Sequence, residues 1–247
     1  MAQTHDGENV EILKPPADAP PPPPAPDLAR VTQLIIERTN QFRKSEGRAE
    51  VAANNKLSTA ANSFASYMSR TLRYGHTADG SKPADRAAKE GYEYCLIAEN
   101  IAYAYKSTAF TAEDLAKQFV DGWEKSPGHR KNMLEPDATE TGVAVARNAE
   151  SGYFFAVQMF GRPKSLAIEF RISNRSGEAV RYRVDDQTFD LPPRYGRTHQ
   201  TCRTPEVTFL PPEGQAESAT PGPTIRPKNG ERYTVDRSAN GVKVSKE

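Results

Sequence analysis

Proline placement constrains this chain more than any other feature. Eight of its 20 prolines fall in residues 1–29, four in residues 30–163 and eight in residues 164–247. Proline lacks an N–H and clashes with the preceding turn, so long helices and central strands belong to the proline-poor middle. Residues 1–29 hold Pro15, Pro16, Pro20 to Pro24 and Pro26, with five acids against one lysine. That composition favours solvated polyproline II, and a disordered, Pro-rich acidic tether is expected there. Residues 30–163 carry 18 basic and 16 acidic side chains and suit one compact domain. Residues 164–247 alternate short β-rich runs with Pro and Gly clusters, which predicts a small β-rich module.

Overall charge excludes some function classes. The 33 Lys+Arg against 32 Asp+Glu leave no broad basic field, so no nucleic-acid partner is expected. Apolar residues make up 36% and no run approaches the ~20 that a membrane span requires, so no span is expected. The opening Met1-Ala2-Gln3-Thr4 has neither the basic nor the apolar segment of an export leader. It fits a cytoplasmic protein, or a mature form whose leader has been replaced by methionine. Cys95 and Cys202 permit one disulfide or two free thiols, and form no metal-binding cysteine pattern.

Helical spacing of Val31, Leu34, Ile35 and Phe42 predicts a first helix stopped near Gly47. A stripe from Leu57 through Phe64 and Met68 to Leu72 predicts a second. A short third helix is expected with Ser81 as cap and Pro83 in its first turn, and a fourth begins at Thr111-Ala112-Glu113-Asp114. Ser126 reads as the cap of a fifth, with Pro127 at its first position and His129 one or two turns in. Gly142–Ala146 and Tyr153–Phe160 read as adjacent strands. Together these elements predict a layered α/β sandwich.

Three residues stand out chemically: His76 in a polar loop, Glu99 between apolar runs, and His129. A loop histidine is ordinarily just solvated or hydrogen-bonded. A carboxylate among apolar neighbours needs a partner, and a structural hydrogen bond would serve as well as a metal. Two imidazoles and one carboxylate suit Zn²⁺ with an open position for water, yet their spacing forms no HExxH pair. The sequence has no G-x-S-x-G elbow, Walker A loop or dinucleotide fingerprint, and Ser126 is read as a cap rather than a nucleophile. Tyr92, Tyr94, Tyr103 and Tyr105 flank Glu99 at period two, which fits either a binding groove or rings covering the core.

The ordered series Gly75-His76-Thr77, Pro83-Ala84-Asp85-Arg86-Ala87, Ala98-Glu99-Asn100-Ile101-Ala102, Trp123 to Leu134, Thr141 to Val145 and Tyr153 to Gly161 resembles the CAP superfamily. That family joins cysteine-rich secretory proteins, antigen 5 and pathogenesis-related 1 proteins, and the likeness is to its bacterial, SCP-like branch. The resemblance implies a three-layer α-β-α sandwich (the CAP fold) over residues 30–163, followed by the small all-β module. It also implies a secreted or periplasmic mature protein. Its open cleft would hold a divalent cation, Zn or Mg, on His76, Glu99 and His129. A second acid has no match: Ser126 occupies the position three after Trp123, and Glu124 is the nearby alternative. Pairing of Cys95 with Cys202 follows from the relatives being exported.

The expected function is a non-enzymatic binding protein whose cleft takes the cation and a small amphiphile, an extended peptide or a cell-surface component. One alternative is a metal-dependent hydrolase with Glu99 as base. A second is a cell-wall or surface interaction protein acting through the β module. In that module Ala167–Ile172 and Val180–Val184 read as a hairpin about Asn174–Gly177, with further strands near 206–210, 232–235 and 241–244.

Overall fold

The structure, a computed structural model, describes residues 2–4, 10–15, 21–211, 222–238 and 241–247. The chain divides into two compact units, Met1–Lys164 and Ser165–Glu247. Among the described residues no helix is long and apolar enough to cross a membrane.

The first unit runs β1 (Ala2–Thr4), β2 (Glu11–Ile12), α1 (Leu28–Ser45), β3 (Ala52–Ala53), α2 (Asn55–Thr71), β4 (Arg73–Tyr74), α3 (Pro83–Lys89), β5 (Tyr94–Ala104), α4 (Ala112–Lys125), α5 (Pro127–Met133), β6 (Glu140–Arg147) and β7 (Phe154–Pro163). Five strands form one sheet in the order β1-β5-β7-β6-β3. Alternation along those strands sends side chains to two separate cores. Ala102, Ala104, Val143, Val145, Ala156 and Phe160 pack with α1 and α4, while Ile101, Tyr103, Ala144, Phe155, Val157 and Met159 pack with α2 and α3. The expected three-layer sandwich is therefore present, each face covered by the apolar stripe of its helices.

Local chemistry sets the helix starts. Asp27 and Asn54 accept backbone N–H groups at the heads of α1 and α2, and Thr111 accepts from Asp114 N at the head of α4. Lys82, not Ser81, is the cap position of α3; the Asp85 carboxylate takes the Lys82 N–H, and Ser81 Oγ turns to Asp79. Gly142 lets α2 lie directly on β6, because a Cβ there would stand 2.2 Å from the Leu57 and Ser58 backbone.

Two expectations are corrected here. Residues 94–104, not recognised as a strand from sequence, form the eleven-residue β5 between β1 and β7. Alternation on it was masked because both faces are buried, which makes the run nearly continuous in apolar character. The expected tether is not simply solvated at its described residues. Ala2–Thr4 pair antiparallel with β5, Glu11–Ile12 pair with β4, Leu13 is buried, and the Pro23 carbonyl accepts from Arg147 Nη2 at 2.5 Å. Proline offers no N–H, but its carbonyl still accepts, so a polyproline run is held from one side. Met1, residues 5–9 and residues 16–20 of that segment lie outside the described residues.

The second unit holds β8 (Ile168–Asn174), β9 (Val180–Val184), β10 (Gln187–Leu191), β11 (Gly196–Thr201), β12 (Val207–Phe209), β13 (Thr224–Ile225), β14 (Arg232–Ser238) and β15 (Gly241–Lys246). The expected hairpin of β8 with β9 does not form. β8 belongs to the sheet β11-β8-β14-β15 and β9 to the sheet β10-β9-β12-β13. Ile168, Phe170 and Ile172 of one sheet meet Val180, Tyr182, Val207 and Phe209 of the other in one core, so the 174–177 turn is a corner between sheets. Residues 212–221 lie outside the described residues.

Candidate functional site

Three distant segments converge at the end of the first sandwich. His76 follows β4 in a turn-rich loop, Glu99 lies in β5, and His129 lies in α5. The ring centroids of His76 and His129 are 6.3 Å apart, with planes inclined by 30°. His76 Nδ1 meets Glu99 Oε1 at 2.8 Å. A carboxylate only accepts, so Nδ1 is the donor in this bond and Nε2 is turned away from Glu99. His129 Nδ1 lies 2.8 Å from Ser126 Oγ, which anchors the second ring at the same position. Ser126 is the N-cap residue of α5, as expected, but its hydroxyl makes no cap bond and meets the imidazole instead.

The strongest partner of Glu99 is a residue assigned no role from sequence. Arg86 Nη2 reaches Glu99 Oε1 at 3.0 Å and Oε2 at 2.8 Å, and also the His76 carbonyl at 3.0 Å. Arg86 Nη1 reaches Asp79 Oδ1 at 2.9 Å, and the guanidinium carbon lies 3.6 Å from the centroid of the Phe64 ring. The Arg86 and Glu99 side chains are only 6% and 1% exposed. Sequence supplied half of this signal, since an acid inside an apolar run demanded a partner. α5 is fastened to β5 by amides: Asn132 Nδ2 donates to the Glu99 carbonyl and Asn100 Oδ1, both at 3.0 Å, and Asn100 Nδ2 donates to the His129 carbonyl at 3.2 Å.

The three expected residues meet at this place. Glu99 lies beside His76, where it orients the ring and pairs with Arg86. Among the described residues no three His, Cys, Asp or Glu side chains are grouped to hold one metal ion. Glu124 is not gathered with the imidazoles either. Its carboxyl is pushed above the usual carboxylate range, by burial first and then by Asp121, and Arg130, Lys117 and Glu46 are its other charged neighbours. Access is uneven: the His76 side chain is 24% exposed, whereas His129 is 1% exposed. The flanking tyrosines divide likewise. Tyr92 and Tyr103 are buried, Tyr92 donating to Glu140 Oε2 at 2.5 Å, while Tyr94 is exposed. Tyr92 and Tyr103 belong to the core on the α2 side of the sheet.

Two imidazoles alone could hold a cation through Nε2. Two Zn–N bonds of about 2.0–2.1 Å cap the nitrogen separation at about 4.2 Å, so rings 6.3 Å apart fit one ion only with both ε nitrogens turned toward it. The bond from His76 Nδ1 to Glu99 favours that orientation, because the carboxylate behind the ring fixes it and leaves Nε2 as the outer nitrogen.

Residues 36–160 match the family described as CAP, the cysteine-rich secretory protein family. The chain belongs to that family. Among curated proteins it is similar to YkwD of Bacillus subtilis (strain 168), 30% identical over 129 residues, which are 52% of this chain and 46% of YkwD. The membrane protein YlbC of the same organism is 31% identical over 114 residues, 46% of this chain and 31% of YlbC. The chain thus spans less than half the length of either relative. Among solved structures, an outer surface protein from Borrelia burgdorferi aligns with a TM-score of 0.49 at 18% identity, covering 56% of this chain and 96% of that one. Both cysteines of this CAP chain, Cys95 and Cys202, are disulfide-bonded.

Proposed function

We propose that this CAP protein is an exported binding protein that takes up one divalent transition-metal cation on His76 and His129. The observation that carries this reading is the pair of imidazoles 6.3 Å apart, each held at Nδ1 by a hydrogen bond. Imidazole nitrogen suits Zn²⁺ and its neighbours far better than Mg²⁺, which wants hard oxygens, so zinc is favoured over magnesium. Two protein ligands leave positions for water or for an oxygen of a peptide or amphiphile. Export is supported by the disulfide, which persists in oxidising compartments.

The hydrolase reading needs Glu99 as a base. That carboxylate is 1% exposed and turned to Arg86 and His76, not toward a water a substrate could share. Binding without turnover is the better reading.

Isothermal titration of the full, disulfide-intact chain tests it. Zn²⁺ is expected to bind one ion per chain, Mg²⁺ is expected to give no saturable heat, and His76→Ala and His129→Ala are each expected to weaken Zn²⁺ at least about tenfold. Equal zinc affinity in wild type and in the double variant would overturn the proposal.

A further inference from the structure

The second unit carries a concavity that the imidazole site does not use. A hollow of about 440 Å³ is lined by Arg171, Asn174, Arg175, Arg194, Tyr195 and Gly196, with Ser173 beside them. Three guanidinium groups and no carboxylate line it. Arg175 shares Glu247 at 3.5 Å. Arg171 has only the Thr198 hydroxyl, at 3.3 Å, and among the described residues neither Arg171 nor Arg194 has an ion-pair partner.

Exposed arginines on a sheet are ordinarily just solvated, but here the backbone is arranged around them. A Cβ on residue 196 would stand 2.4 Å from Arg171 Nη2 and 2.8 Å from its Cζ, so in this position the guanidinium lies against the glycine. Arg194 adopts φ 67°, a left-handed conformation that side chains other than Gly, Asn and Asp seldom take. One buried asparagine ties the rim together: the Asn174 carbonyl accepts from Arg194 N at 2.9 Å, and the Asn174 N–H donates to the Tyr195 carbonyl at 2.8 Å. The Asn174 side-chain amide in turn donates to the carbonyls of Glu178 and Leu191, at 2.7 and 2.8 Å. Tyr195 stands 66% exposed at the mouth.

We propose that this hollow binds an oxyanion, a phosphate or carboxylate group borne by a larger molecule, with Arg171 and Arg194 as donors and Tyr195 packing beside the anion-bearing part. Guanidinium forks match both groups in geometry and charge. An exposed ring with a hydroxyl offers the ligand an apolar surface and a polar tip together.

Titration of the full chain with inorganic pyrophosphate and with citrate, at low salt, tests the assignment and separates the two sources. Saturable one-site binding of either anion is expected, and the tighter of the two names the oxyanion class. Arg194→Gly keeps the left-handed backbone without strain, so its unfolding midpoint should equal or exceed that of wild type, while affinity falls about tenfold. Arg171→Gln should weaken binding similarly, and the exposed Arg183→Gln on β9 should not. No saturable binding of either anion up to millimolar concentration, or equal losses in all three variants, would overturn the proposal.

Discussion

The carboxylate of Glu99 stands between one guanidinium and one imidazole, so its loss has two separable consequences. Glu99→Gln leaves Arg86 buried with only Asp79 as counter-charge, and stability should fall by about 3 kcal/mol in denaturant unfolding. The same substitution frees His76 from its fixed tautomer and should weaken zinc by about 10- to 100-fold. An unchanged unfolding midpoint and unchanged zinc affinity would contradict both roles. The two histidines and Glu99 were legible because each sits in an ordered family motif. Arg86 sits in such a motif too, but thirteen positions upstream of its partner on a different element, and only the packing of α3 against β5 shows that they meet. Ser126 does occupy the cap position of α5 with Pro127 after it, but the preference for serine before a helix-starting proline says nothing about where the hydroxyl points once an imidazole is in reach.

The main helices and the adjacent strands β6 and β7 were read well from sequence, whereas β5 and the partners of β8 and β9 were not. α1, α2 and α4 announce themselves by apolar stripes, and their observed bounds contain those stripes except for Leu72, the left-handed C-cap of α2. β5 is buried on both faces and carries no alternation, while β8 and β9 alternate cleanly yet pair with other strands. Alternation reports which face is buried and is silent about which strand lies alongside. The contact of α2 with β6 depends on Gly142, and it can be tested directly. A methyl at 142 would collide with backbone rather than with a movable side chain, so Gly142→Ala should cost at least about 3 kcal/mol. A variant that unfolds at the wild-type denaturant concentration would show that the layers have slack the structure does not display.

At the scale of the whole chain, the two units hold separate cores, and the second carries a buried histidine that acid should act on. In the second unit His199 Nε2 lies 2.7 Å from Tyr182 Oη, and burial first, then Arg197, push its pKa down to about 4 from 6.5. The unfolded chain therefore takes up this proton before the folded one as pH falls. The stability that His199 contributes is complete above about pH 6.5 and is lost between there and about pH 4, on the order of 3 kcal/mol. Denaturant unfolding of the second unit at pH 7 and pH 4.5 should show that loss in wild type and much less of it in His199→Gln; equal acid sensitivity would contradict the assignment. The first unit bears the central claim, that two imidazoles fixed from behind share one cation while Glu99 stays with Arg86. Anomalous diffraction at the zinc edge, on crystals of the full chain grown with Zn²⁺, tests it most directly. One peak about 2.0–2.1 Å from the ε nitrogens of both His76 and His129, with Glu99 still on Arg86, is the result the account predicts. A peak bound to Glu99, or one that leaves either ring out, would contradict it.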